Sequence, residues 1–254
     1  MHLSGCVSLE ELPASVLDLS KLETLNVSGC SSLKWDNLED YVNGIPELST
    51  RHSDILPNLK FVDLTITLIQ IIPSFITHSP VLELDCADCT KLTKFEVIPS
   101  MEILDLTYSL IEEVVELEKM KKLKHLNLSQ NKHLILISGD FPESGSLEMI
   151  NLESYTKLSR LLNSIGNLAH LTSLDLSCTA LEELPSSIGD LTRLSELLFV
   201  GKLLPRTFPY TANAWRGFER RWPLPAREPR GSCSKAARSR LSGGESRRAA
   251  GGSR

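Results

Sequence analysis

One apolar pattern recurs nine times between residues 1 and 200 and constrains the fold more than any other feature of the chain. In its fullest form it reads Leu22-x-x-Leu25-x-Val27-x-x-Cys30-x-x-Leu33. Successive copies are separated by 24, 37, 22, 20, 22, 24, 24 and 23 residues. The third aliphatic position of each copy is occupied by Leu3, Val27, Leu64, Cys86, Leu106, Leu128, Leu152, Leu176 and Phe199.

A pattern of this kind, repeated about every 20 to 29 residues, is typical of a leucine-rich repeat. The three leading aliphatic residues predict a short parallel strand whose leucines point into the coil, while the residues between them face outward. Segments such as EELPASVLDL predict short helical or 3-10 pieces on the convex side, packed by Val16, Phe75, Ile165 and Ile188. We therefore expect an α/β, right-handed, curved solenoid with a concave parallel β-sheet of about nine strands.

The position after each strand carries a small polar residue in most copies. A donor or acceptor placed there can satisfy backbone groups of the turn that the sheet does not reach. Tyr155 breaks the pattern, and we expect either a distorted coil or a ring that swings outward. The residues that fit the pattern are Cys6, Cys30, Thr67, Cys89, Ser109, Asn131 and Thr179.

The 37-residue step between Val27 and Leu64 contains an additional segment, roughly residues 35–56. It can be an exposed loop or an eroded repeat. Inserted loops are often passive, yet they also carry binding residues. The side chains that could contact a partner here are Trp35, Asp36, Glu39, Asp40 and Tyr41.

The composition changes sharply near residue 200. Residues 1–200 hold 14 Lys and Arg against 29 Asp and Glu, whereas residues 201–254 hold 13 against 3. We therefore expect a leucine-rich-repeat domain over 1–200 and a disordered Arg/Gly/Ser-rich tail over 201–254. The tail predicts either nucleic-acid binding, with Trp215, Phe218 and Trp222 stacking on bases, or a translated non-coding or shifted frame. We favour the second interpretation and expect no nucleic-acid partner.

The cysteines and the hydropathy pattern indicate a cytoplasmic location. Four cysteines occupy repeat positions, and Cys178 and Cys233 imply no bridge, so a reducing compartment is the simpler interpretation. No apolar run approaches the length of a membrane helix, and no charged-then-apolar leader opens the chain.

Little in the sequence indicates chemistry. Zinc-ligand spacing is missing, so we expect no metal and no cofactor. His125 could stand near Asp105 on the next strand, but no nucleophile accompanies the pair, and we expect no enzyme activity. A row of acids and amides, Asp105 among them, would simply keep the exposed side of the sheet polar, so Asp105→Ala should cost little.

The exposed side of the predicted sheet is more informative where it is apolar. Large apolar or aromatic residues on a solvated face suggest a contact surface for another protein. Degenerate repeats can also hide such residues, and both alternatives stand at this point. The candidate partner-binding residues on the middle strands are Phe61, Ile66, Ile103, Tyr108, His125 and Met149.

Three segments carry a family resemblance: LNVSGCSSL, LDCADCTKL and LEELPSSIGDLTRL. They resemble the repeat region of plant intracellular nucleotide-binding disease-resistance proteins over residues 1 to about 200. The resemblance implies a non-catalytic module that senses pathogen effectors or a guarded host protein and restrains an ATPase module in the intact receptor.

The ATPase motif of that family, GxxxxGK[ST], does not occur here, and Met1-His2-Leu3 aligns with the interior of a strand. We therefore expect a truncated receptor whose first strand is incomplete. The alternatives are an intracellular scaffold, such as a substrate-binding arm of a ubiquitin ligase, or a gene fragment without function.

Overall fold

The structure is a computed structural model that describes residues 1–44, 55–137, 141 and 146–200. The predicted tail, 201–254, lies outside the described residues. Within the insertion, residues 45–54 also lie outside them.

Eight short strands form one parallel sheet in the order β1-β2-β3-β4-β6-β8-β9-β10. A parallel bridge between His2 and Asn26 adds a ninth, incomplete rung at the β1 edge. This confirms the predicted leucine-rich-repeat solenoid with its concave parallel sheet. The strands are β1 Thr24–Asn26, β2 Phe61–Asp63, β3 Glu83–Asp85, β4 Ile103–Asp105, β6 His125–Asn127, β8 Met149–Asn151, β9 Ser173–Asp175 and β10 Glu196–Leu198.

The register of the sheet follows from the central aliphatic residue of each strand. Leu25 pairs with Val62, Val62 with Leu84, and the same alignment continues to Leu174 and Leu197. Each of these side chains is buried, while the residues on either side of it face outward. Because side chains alternate along a strand, a one-residue slip would expose the whole apolar row. The predicted phase of the strands is therefore confirmed.

The opposite side of each coil is made of short helical pieces, as predicted. Val16, Phe75, Ile165 and Ile188 are all buried there. A second sheet, which the sequence did not predict, pairs β5 (Glu113–Val114) with β7 (Leu136–Ile137) in parallel. The helical pieces are 3-10 turns at Ala14–Asp18, Leu117–Lys119, Asn163–Asn167 and Ser186–Asp190, and a single α-turn, α2, at Ser74–Thr77.

The start of the insertion forms helix α1, Asp36–Gly44, which packs on the convex side. Trp35 is buried, and its ring centroid lies 6.0 Å from that of Phe75. The Glu39 carboxylate accepts hydrogen bonds from the backbone N–H and the hydroxyl of Ser74, at the N-terminus of α2. Trp35 and Glu39 therefore stabilise the fold, and the buried Trp35 is not available to a partner. A partner role for the rest of the segment stays a prediction. Asp36 and Asp40 are exposed, and Tyr41 is half-buried.

The polar positions after the strands satisfy backbone groups of the turns, as predicted. The Cys30 thiol donates to the carbonyl oxygen of Leu3 at 3.1 Å, and the Thr67 hydroxyl donates to that of Leu64 at 2.6 Å. The Asn131 amide bridges two coils, because its Nδ2 donates to the carbonyl oxygens of Leu106 at 2.8 Å and Leu128 at 3.0 Å.

Tyr155 occupies the same position without distorting the turn. Its ring is buried, and its backbone N–H donates to the Leu152 carbonyl at 3.1 Å, close to the 3.0 Å of Cys30 to Val27. Burial raises the pKa of the Tyr155 phenol. The expectation of a distorted coil or an outward ring was wrong because the solenoid interior accommodates the ring at this point.

The cysteines of the described residues divide into two groups. Cys6, Cys30, Cys86 and Cys89 are free thiols. Cys178 is disulfide-bonded, so the expectation that it implies no bridge was wrong. Its side chain is half-exposed in the turn after β9, one residue before the internal position. Cysteine usage therefore does not decide the redox compartment.

The buried row of central leucines predicts which substitutions destabilise the folded chain. Leu126→Ala and Leu174→Ala should each lower the free energy of unfolding by about 2 to 5 kcal/mol, because each leaves a cavity between stacked coils. Ile135, which is 59% exposed, is the control, and its replacement by Ala should cost less than about 0.5 kcal/mol. Urea denaturation measures all three, and equal losses would mean that the strand phase is misassigned.

Candidate partner-binding face

We call the concave face the outward-facing residues of the eight-stranded sheet together with the left-handed residues of the turns that follow the strands. Four of the six candidate residues are clearly exposed on it, with Phe61 at 36%, Ile66 at 56%, Tyr108 at 39% and Met149 at 46%. Ile103 and His125 are half-buried. Their placement on the surface agrees with the sequence analysis, and their role in binding stays a prediction.

The sheet register brings three of the six candidate residues together. Ile103 pairs with His125, and His125 pairs with Met149, so these three side chains stand on consecutive rungs about 5 Å apart. Phe61 belongs to the same column but is separated from Ile103 by Glu83 on β3. The apolar column is therefore interrupted by one carboxylate.

Ile66 and Tyr108 occupy the turns that follow β2 and β4, and their backbones are left-handed, with φ of 57° and 55°. The equivalent position in the first two coils is a glycine, Gly5 and Gly29, with φ of 75° and 71°. A left-handed residue other than glycine costs about 1 to 2 kcal/mol, and a β-branched residue is rare there. The fold therefore presents Ile66 at the face in spite of backbone strain.

The polar row at the last position of the strands also shapes the turns. Asp105 Oδ1 accepts bonds from the Thr107 backbone N–H at 2.8 Å and the Thr107 hydroxyl at 2.6 Å. Its Oδ2 accepts from Asn127 Nδ2 at 2.8 Å. The same bond to the backbone N–H two residues on is made by Asn26, Asp63, Asp85, Asn127, Asn151 and Asp175.

These contacts correct the view of Asp105 as a simple surface residue. Both of its carboxylate oxygens accept hydrogen bonds, from Thr107 and from Asn127. These bonds take the place of the hydrogen bond to His125 that an acid/base pair would need. Sequence spacing alone could not show this, because Asn127 lies 22 residues away and reaches Asp105 only across the sheet.

Three carboxylates stand side by side on β2, β3 and β4. Asp63 pairs with Asp85, which pairs with Asp105. Burial, opposed by a hydrogen bond from the Ala87 N–H and reinforced by the charges of Asp105 and Asp63, raises the pKa of Asp85. The outer two acids each accept a bond from a neighbouring amide, Asn26 for Asp63 and Asn127 for Asp105. Asp85, at the centre of the row, therefore lies between two like charges without an amide donor of its own.

The concave face as a whole is acidic. Its eight strands contain six carboxylates and neither Lys nor Arg. The nearest lysines precede the strands and are already paired, Lys60 with Glu23 at 3.8 Å and Lys124 with Glu102 at 2.6 Å. Burial and the nearby charge of Asp175 also raise the pKa of Glu153. The carboxylates of the strands are Asp63, Glu83, Asp85, Asp105, Asp175 and Glu196.

Two exposed apolar residues escaped the sequence analysis. Leu68 is 44% exposed and Ile71 is 56% exposed, and both belong to the repeat that carries Phe61 and Ile66. The run LTITLIQII contained a signal, since its density of aliphatic residues exceeds what one coil can bury. The apolar surface of this repeat therefore continues from the concave face around the side of the solenoid.

The described residues contain no group of three or more His, Cys, Asp or Glu side chains placed to hold a metal ion. None of the helices in the described ranges is long and apolar enough to cross a membrane.

Comparison with known proteins identifies relatives of the chain. It is 31% identical over 233 residues to the Arabidopsis thaliana protein SUPPRESSOR OF npr1-1, CONSTITUTIVE 1, and 28% identical over 226 residues to the Arabidopsis disease resistance protein RML1A. These alignments cover 78% and 84% of this chain. The chain is a leucine-rich-repeat protein related to plant disease resistance proteins. It spans only 16% and 22% of the lengths of these two relatives.

Solved structures agree on the fold of this leucine-rich-repeat protein. The leucine-rich repeat domain of APL1B superposes with a TM-score of 0.55 at 15% identity, covering 80% of this chain and 62% of that one. At this identity the likeness concerns the fold alone. No family model matches the chain.

The hydrogen bonds of Asp105 predict a measurable cost for removing its carboxylate. Asp105→Ala should lower the free energy of unfolding by about 1 to 3 kcal/mol, because the Thr107 N–H and hydroxyl and the Asn127 amide lose a charged acceptor. Asp190→Ala, at an exposed position on the convex side, should cost less than about 0.5 kcal/mol. Chemical denaturation of both variants tests this, and a neutral Asp105→Ala would contradict it.

The left-handed backbone of Ile66 predicts a substitution that stabilises the protein. Ile66→Gly should raise the free energy of unfolding by up to about 1 kcal/mol, since relief of left-handed strain exceeds the added freedom of the unfolded chain. Ile71 is equally exposed and is not among the left-handed residues. Ile71→Gly should therefore destabilise the folded protein. In thermal melting, we expect Ile66→Gly to raise the melting temperature and Ile71→Gly to lower it.

Proposed function

We propose that this protein is a non-catalytic recognition module of plant defence that binds another protein on its concave face. The partner is a pathogen effector or a guarded host protein. In an intact receptor, the same solenoid would hold a nucleotide-binding ATPase module inactive. We place this activity in the cytoplasm, in keeping with the disease resistance relatives.

One observation carries the proposal: Phe61, Ile66, Tyr108 and Met149 are exposed on an open sheet face. Large apolar side chains that protrude from a solvated sheet stabilise the folded chain little and are the residue types that dominate protein interfaces. Ile66 also has the left-handed backbone that the coils adopt at this position, which a β-branched residue rarely tolerates.

The relatives support the biological setting of the proposal. Among them are disease resistance proteins named RML1A and RPS4B, both from Arabidopsis thaliana. Because the chain matches only part of each, sensing of an effector and restraint of an ATPase module belong to the proposal.

The test begins with an interaction screen of the full chain against pathogen effectors and host leaf proteins. Any partner found is then measured against the variant Phe61→Ser/Ile66→Ser/Tyr108→Ser/Met149→Ser. We expect binding to fall at least 100-fold, since a residue at the centre of an interface contributes about 2 kcal/mol or more. Circular dichroism should be unchanged and the melting temperature nearly so. Ile103 is left out because it is half-buried and its replacement would also affect stability.

A matched control removes three equally exposed apolar residues from other parts of the surface. Val7, Leu19 and Ile135 are 58%, 45% and 59% exposed. Their combined replacement by Ser should leave binding within about twofold, as expected for residues outside an interface. Full binding by the concave-face variant, or equal loss in both variants, would contradict the assignment.

A further inference from the structure

The three rungs β2, β3 and β4 present apolar and acidic side chains in a regular arrangement, which we call the central patch. Each rung contributes the residue at the start of its strand, the residue at its end and the left-handed residue of the following turn. The outer rungs place an apolar residue at the first and last of these positions, namely Phe61 and Ile66 on β2, and Ile103 and Tyr108 on β4.

The middle rung is acidic at all three positions. Glu83 and Asp88 are exposed, and Asp85 lies between them. Asp63 and Asp105 flank Asp85 across the sheet. Five carboxylates thus form a cross, and the four apolar side chains stand at its corners, with neighbouring rungs about 5 Å apart.

None of the ion pairs of the described residues includes a carboxylate of this cross. The strands carry neither Lys nor Arg, and the adjoining Lys60 and Lys124 are paired with Glu23 and Glu102. Asp85 receives a side-chain hydrogen bond from Thr65 and a backbone one from Ala87, but no amide donor of the kind that Asn26 supplies to Asp63 and Asn127 to Asp105. Burial, and after it the like charges of Asp105 and Asp63, raise the pKa of Asp85.

We infer that the central patch binds a basic segment of a partner protein, in which Lys or Arg side chains meet Glu83, Asp85 and Asp88 while apolar side chains cover Phe61, Ile66, Ile103 and Tyr108. This inference rests on the proposed function and adds the chemistry of the partner.

Charge complementarity decides the sign of the partner. An acidic or neutral segment that covered the apolar corners would bury the five carboxylates against groups that cannot compensate them, which is costly. A small inorganic cation would leave the four apolar side chains in water. A polypeptide that combines both kinds of side chain satisfies the whole patch.

The experiment measures binding of three short synthetic peptides to the full chain by fluorescence anisotropy. One alternates Lys and Leu, one alternates Lys and Ser, and one alternates Glu and Leu. We expect the Lys–Leu peptide to bind at least tenfold more tightly than either of the others. Its affinity should fall with added salt, because the Debye length shortens from about 10 Å at 0.1 M to about 3 Å at 1 M.

The decisive variant is Glu83→Gln/Asp85→Asn/Asp88→Asn, which removes three charges and keeps the side-chain shapes. Asn at position 85 retains the oxygen that accepts the Ala87 N–H. The control, Glu182→Gln/Glu183→Gln/Asp190→Asn, removes three exposed carboxylates elsewhere. We expect the first variant to weaken Lys–Leu binding at least tenfold and the control to change it less than twofold.

Each other outcome overturns the inference. Equal losses in the two variants would mean that net charge alone attracts the peptide. A Lys–Ser peptide that binds as tightly as the Lys–Leu peptide would mean that the four apolar side chains at the corners do not contribute to binding. If instead the Glu–Leu peptide binds best and the four-Ser variant abolishes its binding, the concave face still recognises proteins, and only the basic character of the partner is rejected.

Discussion

Burial of one apolar row between stacked coils is the interaction on which the rest of the structure depends. A single coil cannot remove its own leucines from water, so Leu25, Leu104 and Leu174 are buried only because neighbouring coils cover them. The parallel backbone pairing then fixes the register of each rung against the next. This shared core sets the phase of every strand and with it the identity of every outward-facing side chain.

The exposed side of the sheet is bound into the same architecture. Seven of the eight strands end in Asp or Asn. Each of these seven side chains accepts a hydrogen bond from the backbone N–H two residues further along the chain. The polar row therefore turns the chain out of the sheet and at the same time gives the concave face its negative charge. Asn makes this bond as well as Asp does, so the negative charge of the row is not required by the turns and is available for the proposed basic partner.

The apolar residues on that face have no comparable structural reason. Met149 is 46% exposed, and glycine would suit the left-handed backbone of Ile66 and Tyr108 better. Residues that add little to folding are the ones that the proposed partner would contact. The contrast with Asp105, whose polar side chain is engaged within the solenoid, separates the two kinds of outward-facing residue.

The repeat period by itself determined the solenoid, the parallel sheet, the inward row of leucines and the outward placement of Phe61, Ile66, Tyr108 and Met149. These features depend on periodicity, which is written locally in every copy. Only the tertiary structure decided that Trp35 is buried against Phe75, that Tyr155 fits inside the coil and that Asp105 is held by Asn127. Each of these outcomes depends on space or a partner supplied by another coil, and a residue about one repeat or more away in sequence cannot be assigned as a contact until the coils are stacked.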